Sequence, residues 1–142
     1  MRIIDLFSGV GGLTFGFYYR KYKDHFVRNR KNQFVFANEY NPLAAKAYSE
    51  NYPDIPMKNC DIKSLKESDI RKWIGSEPVD LIIGGPPCQS FSTVGQRNYD
   101  EKAQLYTEYL RVLKIARPKM FLFENVRGIL SMREIFYKRD AA

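Results

Sequence analysis

The chain predicts an open α/β fold on a mostly parallel sheet, and three observations carry that prediction. Five short apolar, β-rich runs recur along the 142 residues, at 2–7, 33–37, 55–62, 79–83 and 120–123. Stretches with helical spacing of apolar residues separate most of them, so the strands are joined by crossovers and run parallel. The runs end in polar or glycine-rich loops, which collects the chemistry-bearing residues at one rim, the carboxyl ends of the strands, where open α/β sheets bind ligands.

In chain order, Arg2-Ile3-Ile4-Asp5-Leu6-Phe7 is the first strand, and Ser8-Gly9-Val10-Gly11-Gly12-Leu13-Thr14-Phe15-Gly16 the turn after it. Strand, glycine turn and helix start present backbone N–H groups to a ligand. Thr14 stands where the dinucleotide fingerprint needs glycine, and no Gly-Lys-Ser/Thr follows, so neither phosphate-loop pattern is met. Residues 13–22 predict the first helix, and the basic stretch 21–32 a helix end and surface loop. Gln33-Phe34-Val35-Phe36-Ala37 is the second strand; it delivers Glu39 and Tyr40, and a carboxylate at that tip is placed to hold ribose hydroxyls.

Asn41 caps the next helix and Pro42 occupies its first turn. Residues 55–62 form a short edge strand, weakened by Pro56, that brings Asp61 and Ile62 to the same rim. A helix over 64–74 closes at Gly75. Val79-Asp80-Leu81-Ile82-Ile83 is the central strand. A long helix carrying Leu105, Tyr109, Val112 and Leu113 ends before Pro118, and Met120-Phe121-Leu122-Phe123 is the fifth strand, ending in Glu124 and Asn125.

The loop after the central strand, Gly84-Gly85-Pro86-Pro87-Cys88-Gln89-Ser90-Phe91-Ser92, is the sharpest signal. An isolated cysteine is usually a small buried hydrophobe. Here paired glycines permit close approach, paired prolines stiffen the backbone, and polar neighbours argue against a core position. Cys88 reads as a nucleophile.

Composition is that of one soluble globular domain: 44% hydrophobic and 27% charged residues. No long apolar segment or signal-peptide pattern occurs, so neither a membrane span nor export is expected, and a cytoplasmic location is. Cys60 and Cys88 are too few for a disulfide framework, and with His25 the only histidine no metal site is predicted. The net charge of +7, much of it between Arg20 and Lys31 and in the tail, points modestly to a polyanion.

Three blocks together are far more specific. Residues 5–12, Asp-Leu-Phe-Ser-Gly-Val-Gly-Gly, residues 85–92, Gly-Pro-Pro-Cys-Gln-Ser-Phe-Ser, and Glu124-Asn125-Val126 resemble the carbon-5 cytosine DNA methyltransferases in order and spacing. The resemblance covers the chain to about Leu130. It implies the doubly wound, Rossmann-like sheet that binds S-adenosylmethionine, incomplete at its carboxyl end, with residues 1–142 as the amino-terminal part of the catalytic domain. Phe7, Ser8, Gly9, Val10, Gly11 and Gly12 would hold the methionine part of the cofactor, and Glu39 the ribose. Tyr40 would lie against adenine, Asp61 and Ile62 would read its edge, and Gly85 and Leu105 would complete the pocket.

The chemistry implied is methyl transfer to carbon 5 of cytosine. Cys88 would add to carbon 6, and Glu124 would hold a proton at N3 from a partly desolvated position. The Pro86 carbonyl would meet the exocyclic amino group, with Pro87, Gln89, Ser92 and Asn125 on the substrate side. The base must leave the stack, so the implied partner is double-stranded DNA with a flipped cytosine, as in a restriction–modification system. The family continues with an arginine-rich block, a DNA-reading domain and a terminal helix. Completion by missing segments or by a second polypeptide carrying the target-recognition domain is therefore expected. Three other readings stay open: the tRNA-methylating branch of the same family, a non-catalytic cofactor-binding fragment, and a homodimer through an uncovered sheet edge.

Overall fold

A computed structural model of the chain describes residues 1–87 and 105–125. Its elements are β1 (Arg2–Leu6), α1 (Gly12–Tyr18), β2 (Tyr19–Tyr22), β3 (His25–Arg28), β4 (Gln33–Glu39), α2 (Pro42–Asn51), β5 (Met57–Asn59), α3 (Glu67–Ile74), β6 (Leu81–Gly84), α4 (Leu105–Ala116) and β7 (Met120–Phe123). A single 3₁₀ turn, Ile62–Ser64, lies between β5 and α3.

Five strands form one sheet in the order β5-β4-β1-β6-β7, all paired in parallel. All five expected strands are present. The run expected to be central is β6, one place from the middle; β1 takes the centre, flanked by β4 and β6. The edge position expected for the 55–62 run is met by β5.

The sheet is covered on both faces, as its near-continuous apolar strands require. Ile3, Phe34, Ala37, Leu81 and Ile83 face Tyr18 of α1 and Tyr48 of α2. Ile4, Leu6, Phe36 and Ile82 face Ile70 of α3 and Tyr109, Val112 and Ile115 of α4. Two helices per face make the sheet doubly wound. Asn41 caps α2 as expected, its Oδ1 accepting from the N–H groups of Leu43 at 2.9 Å and Ala44 at 3.1 Å. Gly75 closes α3.

The strand expected over 55–62 shortens to Met57–Asn59 and the helix expected from Ser64 begins at Glu67, but the largest departure from the sequence reading lies before β4. The first helix stops at Tyr18, and the stretch read as a helix end and surface loop is a β-hairpin in which Tyr19 pairs with Arg28 and Tyr22 with His25. The physical reason is local: aromatic and β-branched residues at 19, 22, 26 and 27 suit a pleated ribbon better than a helix. The two-residue connection Lys23-Asp24 closes it with Lys23 at φ 52°, a left-handed turn position.

Candidate cofactor pocket and active-site rim

Because every strand of the main sheet runs the same way, the loops after β1, β4, β5, β6 and β7 meet at one rim. A cavity of about 660 Å³ opens there, lined among others by Phe7, Glu39, Tyr40, Asp61, Ile62 and Leu105. Gly85 and Pro87 reach it from the thiol loop, and Asn38, Asn41 and Lys63 also border it. Its size is that of a small-molecule or cofactor site.

The glycine turn is built around two unusual backbone positions. Phe7 has φ 56°, a left-handed conformation that costs free energy in a bulky residue and concentrates at functional sites. The same residue lines the cavity. Gly11 has φ 94°, and a side chain there would collide with the Tyr52 ring, whose hydroxyl donates to the Gly11 carbonyl at 2.8 Å. The second helix thus presses the turn into place through Tyr48 and Tyr52. The Ser8 hydroxyl is buried and has no hydrogen-bond partner among the described residues.

Glu39 ties the turn to β4. One carboxylate oxygen accepts from the Gly9 N–H and the other from the Asn41 N–H, each at 2.8 Å. Each oxygen keeps a second lone pair for a ligand hydroxyl. Tyr40 beside it is 74% exposed, an open aromatic face at the cavity mouth. Asp61 caps the 3₁₀ turn, accepting from Lys63 N–H at 2.9 Å, and Ile62 is buried beneath.

Glu124 follows β7 and its N–H donates to the Gly84 carbonyl at 2.9 Å. Its carboxylate lies against Gly85: a side chain there would begin 2.7 Å from Oε2. The acid and the thiol loop are therefore neighbours. Glu124 is exposed rather than partly desolvated as the sequence reading required. Asn125 donates from Nδ2 to the Pro86 carbonyl at 3.1 Å, so this amide braces the loop backbone. Pro86 is buried and Pro87 exposed. Cys88, Gln89 and Ser92 lie outside the described residues, as does Val126.

Several residues that shape the rim were not singled out from sequence. Asn38, almost fully buried, donates to the carbonyls of Lys58 at 2.9 Å and Cys60 at 3.0 Å, and Asn59 returns two bonds to the carbonyls of Glu39 and Tyr40. Arg111 of α4 donates to the Ile62 and Leu65 carbonyls, each at 2.9 Å, while paired with Glu108. These contacts fix the height of Asp61 and Tyr40. An asparagine inside an apolar strand was the available signal for Asn38, since a buried amide requires partners; Arg111 offered none.

Asp5 is the other residue missed. It is fully buried under α1 and α2, accepts from the Thr14 hydroxyl, and leaves its Oδ1 without a partner among the described residues. Thr14 Oγ1 lies 2.8 Å from the Tyr48 hydroxyl. Burial pushes the Asp5 carboxyl up to about 7 from its ordinary 3.8; the Thr14 bond pulls it down and the Glu39 carboxylate adds to the rise. The folded chain therefore keeps a proton that the unfolded chain releases near pH 4. The stability this contributes is full below that pH and is lost as pH rises through about 7. Asp5→Asn removes the titration, so the melting temperature of the variant should gain on wild type between pH 4 and 8. Parallel pH profiles for the two proteins would contradict this.

Fold and rim define an α/β protein with a cofactor-sized pocket at the carboxyl ends of a doubly wound sheet, bordered by the Gly-Gly-Pro-Pro stretch after β6. The sequence matches the C-5 cytosine-specific DNA methylase family over residues 1–138, and the chain belongs to that family. It is 42% identical to the type II methyltransferase M.AgeI of Thalassovita gelatinovora over 135 residues, covering 93% of this chain and 29% of that protein. The type II methyltransferase M.NgoPII of Neisseria gonorrhoeae is 40% identical, with 94% and 35% covered. Among solved structures, a prophage-encoded protein of E. coli described as a DNA modification methyltransferase superposes with a TM-score of 0.75 at 32% identity, covering 99% of this chain and 36% of that one. The chain thus spans about a third of the length of these relatives. Among the described residues no helix is long and apolar enough to cross a membrane, and no cluster of three or more metal-ligating side chains occurs.

Proposed function

We propose that this chain is the cofactor- and nucleophile-bearing part of a DNA cytosine carbon-5 methyltransferase of a restriction–modification system, with S-adenosylmethionine as methyl donor. One observation carries the reading: the pocket lined by Phe7, Glu39, Tyr40, Asp61 and Ile62 shares its rim with Gly85, Pro87 and the adjoining Glu124. The residues present suit the cofactor. Two carboxylates, Glu39 and Asp61, would accept from its hydroxyl and amino groups, Phe7, Tyr40 and Leu105 offer apolar surface, and the Ser8 hydroxyl is a buried group with no partner among the described residues. The bound cofactor supplies an electrophilic methyl group.

The chain's own residues prepare the base. Cytosine carbon 5 is a weak nucleophile. The Cys88 thiolate forms a bond to carbon 6, and the electron pair of the 5,6 double bond becomes available at carbon 5. Glu124 holds a proton at N3, offsetting the charge that addition places on the ring. The Pro86 carbonyl, held by Asn125, keeps one lone pair for the exocyclic amino group. Pro87, Gln89 and Ser92 are assigned to the substrate side. Glu124 is exposed, so the desolvation its role needs would have to come from the flipped base or a completing polypeptide.

That additional polypeptide would extend the sheet at β7, where Met120 and Phe121 are 55% and 61% exposed, in the same chain or in a complementing subunit. A second copy paired through β7 is the competing arrangement, and sedimentation separates the two. A duplex containing 5-fluorocytosine tests the function, because it retains the adduct formed by addition at carbon 6. The chain, with the remainder of the Thalassovita relative supplied in trans, should form a covalent adduct, and Cys88→Ala should not. Absence of any adduct from protein that still binds S-adenosylhomocysteine would sink the nucleophile assignment and favour the non-catalytic reading. Methyl transfer to tRNA but not to DNA would select the other branch of the family.

A further inference from the structure

We propose that the β2–β3 hairpin is a second nucleic-acid contact, gripping phosphodiester backbone well away from the reacting base. Its place in the fold comes first. The first helix carries the chain back from the carboxyl rim, and β4 begins beside the amino end of β1, with Gln33 in register with Arg2. The Met1 amino group bonds the Lys31 carbonyl at 2.7 Å. The hairpin therefore projects at the amino-end rim, opposite the cofactor pocket.

Its charge is concentrated. Residues 19–31 hold six cationic side chains against one carboxylate, Asp24, in a chain whose net charge is +7. Arg28 is committed to the fold: its guanidinium stacks 3.9 Å from the Tyr18 ring centre and pairs with Asp54 at 3.2 Å. Arg20, Lys21, Lys23, Arg30 and Lys31 are exposed, and none has an ion-pair partner among the described residues.

The two faces of the ribbon differ. One packs back on α1 through the Phe15, Tyr19 and Phe26 rings, 5.1 and 5.2 Å apart. The other carries Arg20, Tyr22 and His25. There the Tyr22 ring meets His25 edge-on, with Arg20 at 5.8 Å and Lys23 at 5.7 Å from its centre. An aromatic ring flanked by cations without ion-pair partners among the described residues matches what a phosphate backbone offers: closely spaced negative charge beside apolar sugar surface. A hairpin built for stability alone would spread charges of both signs across the ribbon.

The test is fluorescence anisotropy with a labelled dA·dT duplex, which contains no cytosine and so does not engage the proposed chemistry. Arg20→Ala/Lys21→Ala/Lys23→Ala should weaken binding roughly tenfold near 0.1 M salt and flatten the slope of log affinity against log salt by about 3. A control, Lys66→Ala/Lys72→Ala/Lys114→Ala, removes the same charge from α3, its cap and α4 and should change the slope far less. All six residues are exposed, so both variants should melt with wild type and keep their affinity for S-adenosylhomocysteine. Equal losses in the two triple variants would reduce the effect to net charge and overturn the proposal, as would unchanged binding by the hairpin variant or no duplex binding by wild type. Loss of hairpin binding with intact fluorocytosine trapping would separate this surface from the catalytic reading.

Discussion

Glu39→Ala should cost about 100-fold in affinity for S-adenosylhomocysteine, measured by calorimetry on folded protein. Two effects combine. The ribose diol would lose a charged acceptor, and hydrogen bonds to charged groups contribute about 1.5–3 kcal/mol each. The Gly9 and Asn41 N–H groups would lose their shared anchor, so the glycine turn and the start of α2 would no longer be fixed relative to each other. Glu39→Gln keeps the shape while removing the charge and one of the two acceptors. An amide has one accepting oxygen, so its NH₂ must face one of the two N–H donors, and this nearly isosteric change should also weaken binding. Retention of wild-type affinity by both variants would remove Glu39 from the pocket.

Glu39 marks how far the sequence could be read. A carboxylate at the tip of the second strand was legible, because parallel α/β sheets put ligand contacts there and the strands announce themselves as apolar runs. The Asn41-Pro42 cap and the Gly75 stop were legible for the same reason: each is a local interaction written in a few adjacent residues. What escaped was non-local. Asn38 reaches across to the end of β5, and Arg111 spans nearly fifty residues to the Ile62 carbonyl. Asp5 opens the first family block, but its burial and its bond from Thr14 show only once α1 and α2 close over it. The hairpin was missed differently. Its lysines and arginines suggested a solvated loop, while Tyr19, Tyr22, Phe26 and Val27, each paired across the ribbon with a basic residue, carried the weaker signal.

Gly84→Ala should be among the most damaging single substitutions in the described chain. Gly84 ends β6 in register with Leu6 of β1, and a methyl group there would stand 2.5 Å from the Leu6 carbonyl oxygen and 2.8 Å from the Tyr109 ring. The ring is itself fixed, its single hydroxyl proton shared between the carbonyls of Ile82 and Leu122, each at 3.1 Å. Overpacking of a rigid core costs about 1–3 kcal/mol and more where nothing can move. Here one obstacle is backbone, and the upper end, roughly 3 kcal/mol, is expected. The urea midpoint should fall accordingly, with little change in slope. Tyr109→Ala added to Gly84→Ala should not restore it, because the second change relieves the ring and leaves the carbonyl in place. A midpoint at the wild-type value would mean the two strands separate at no cost. The same separation would displace Gly85 and Pro87 from Phe7 across the pocket they line, so whatever Gly84→Ala protein remains folded should bind S-adenosylhomocysteine more weakly. In this chain the close contact of β1 and β6 sets both the stability of the sheet and the width of the pocket above it.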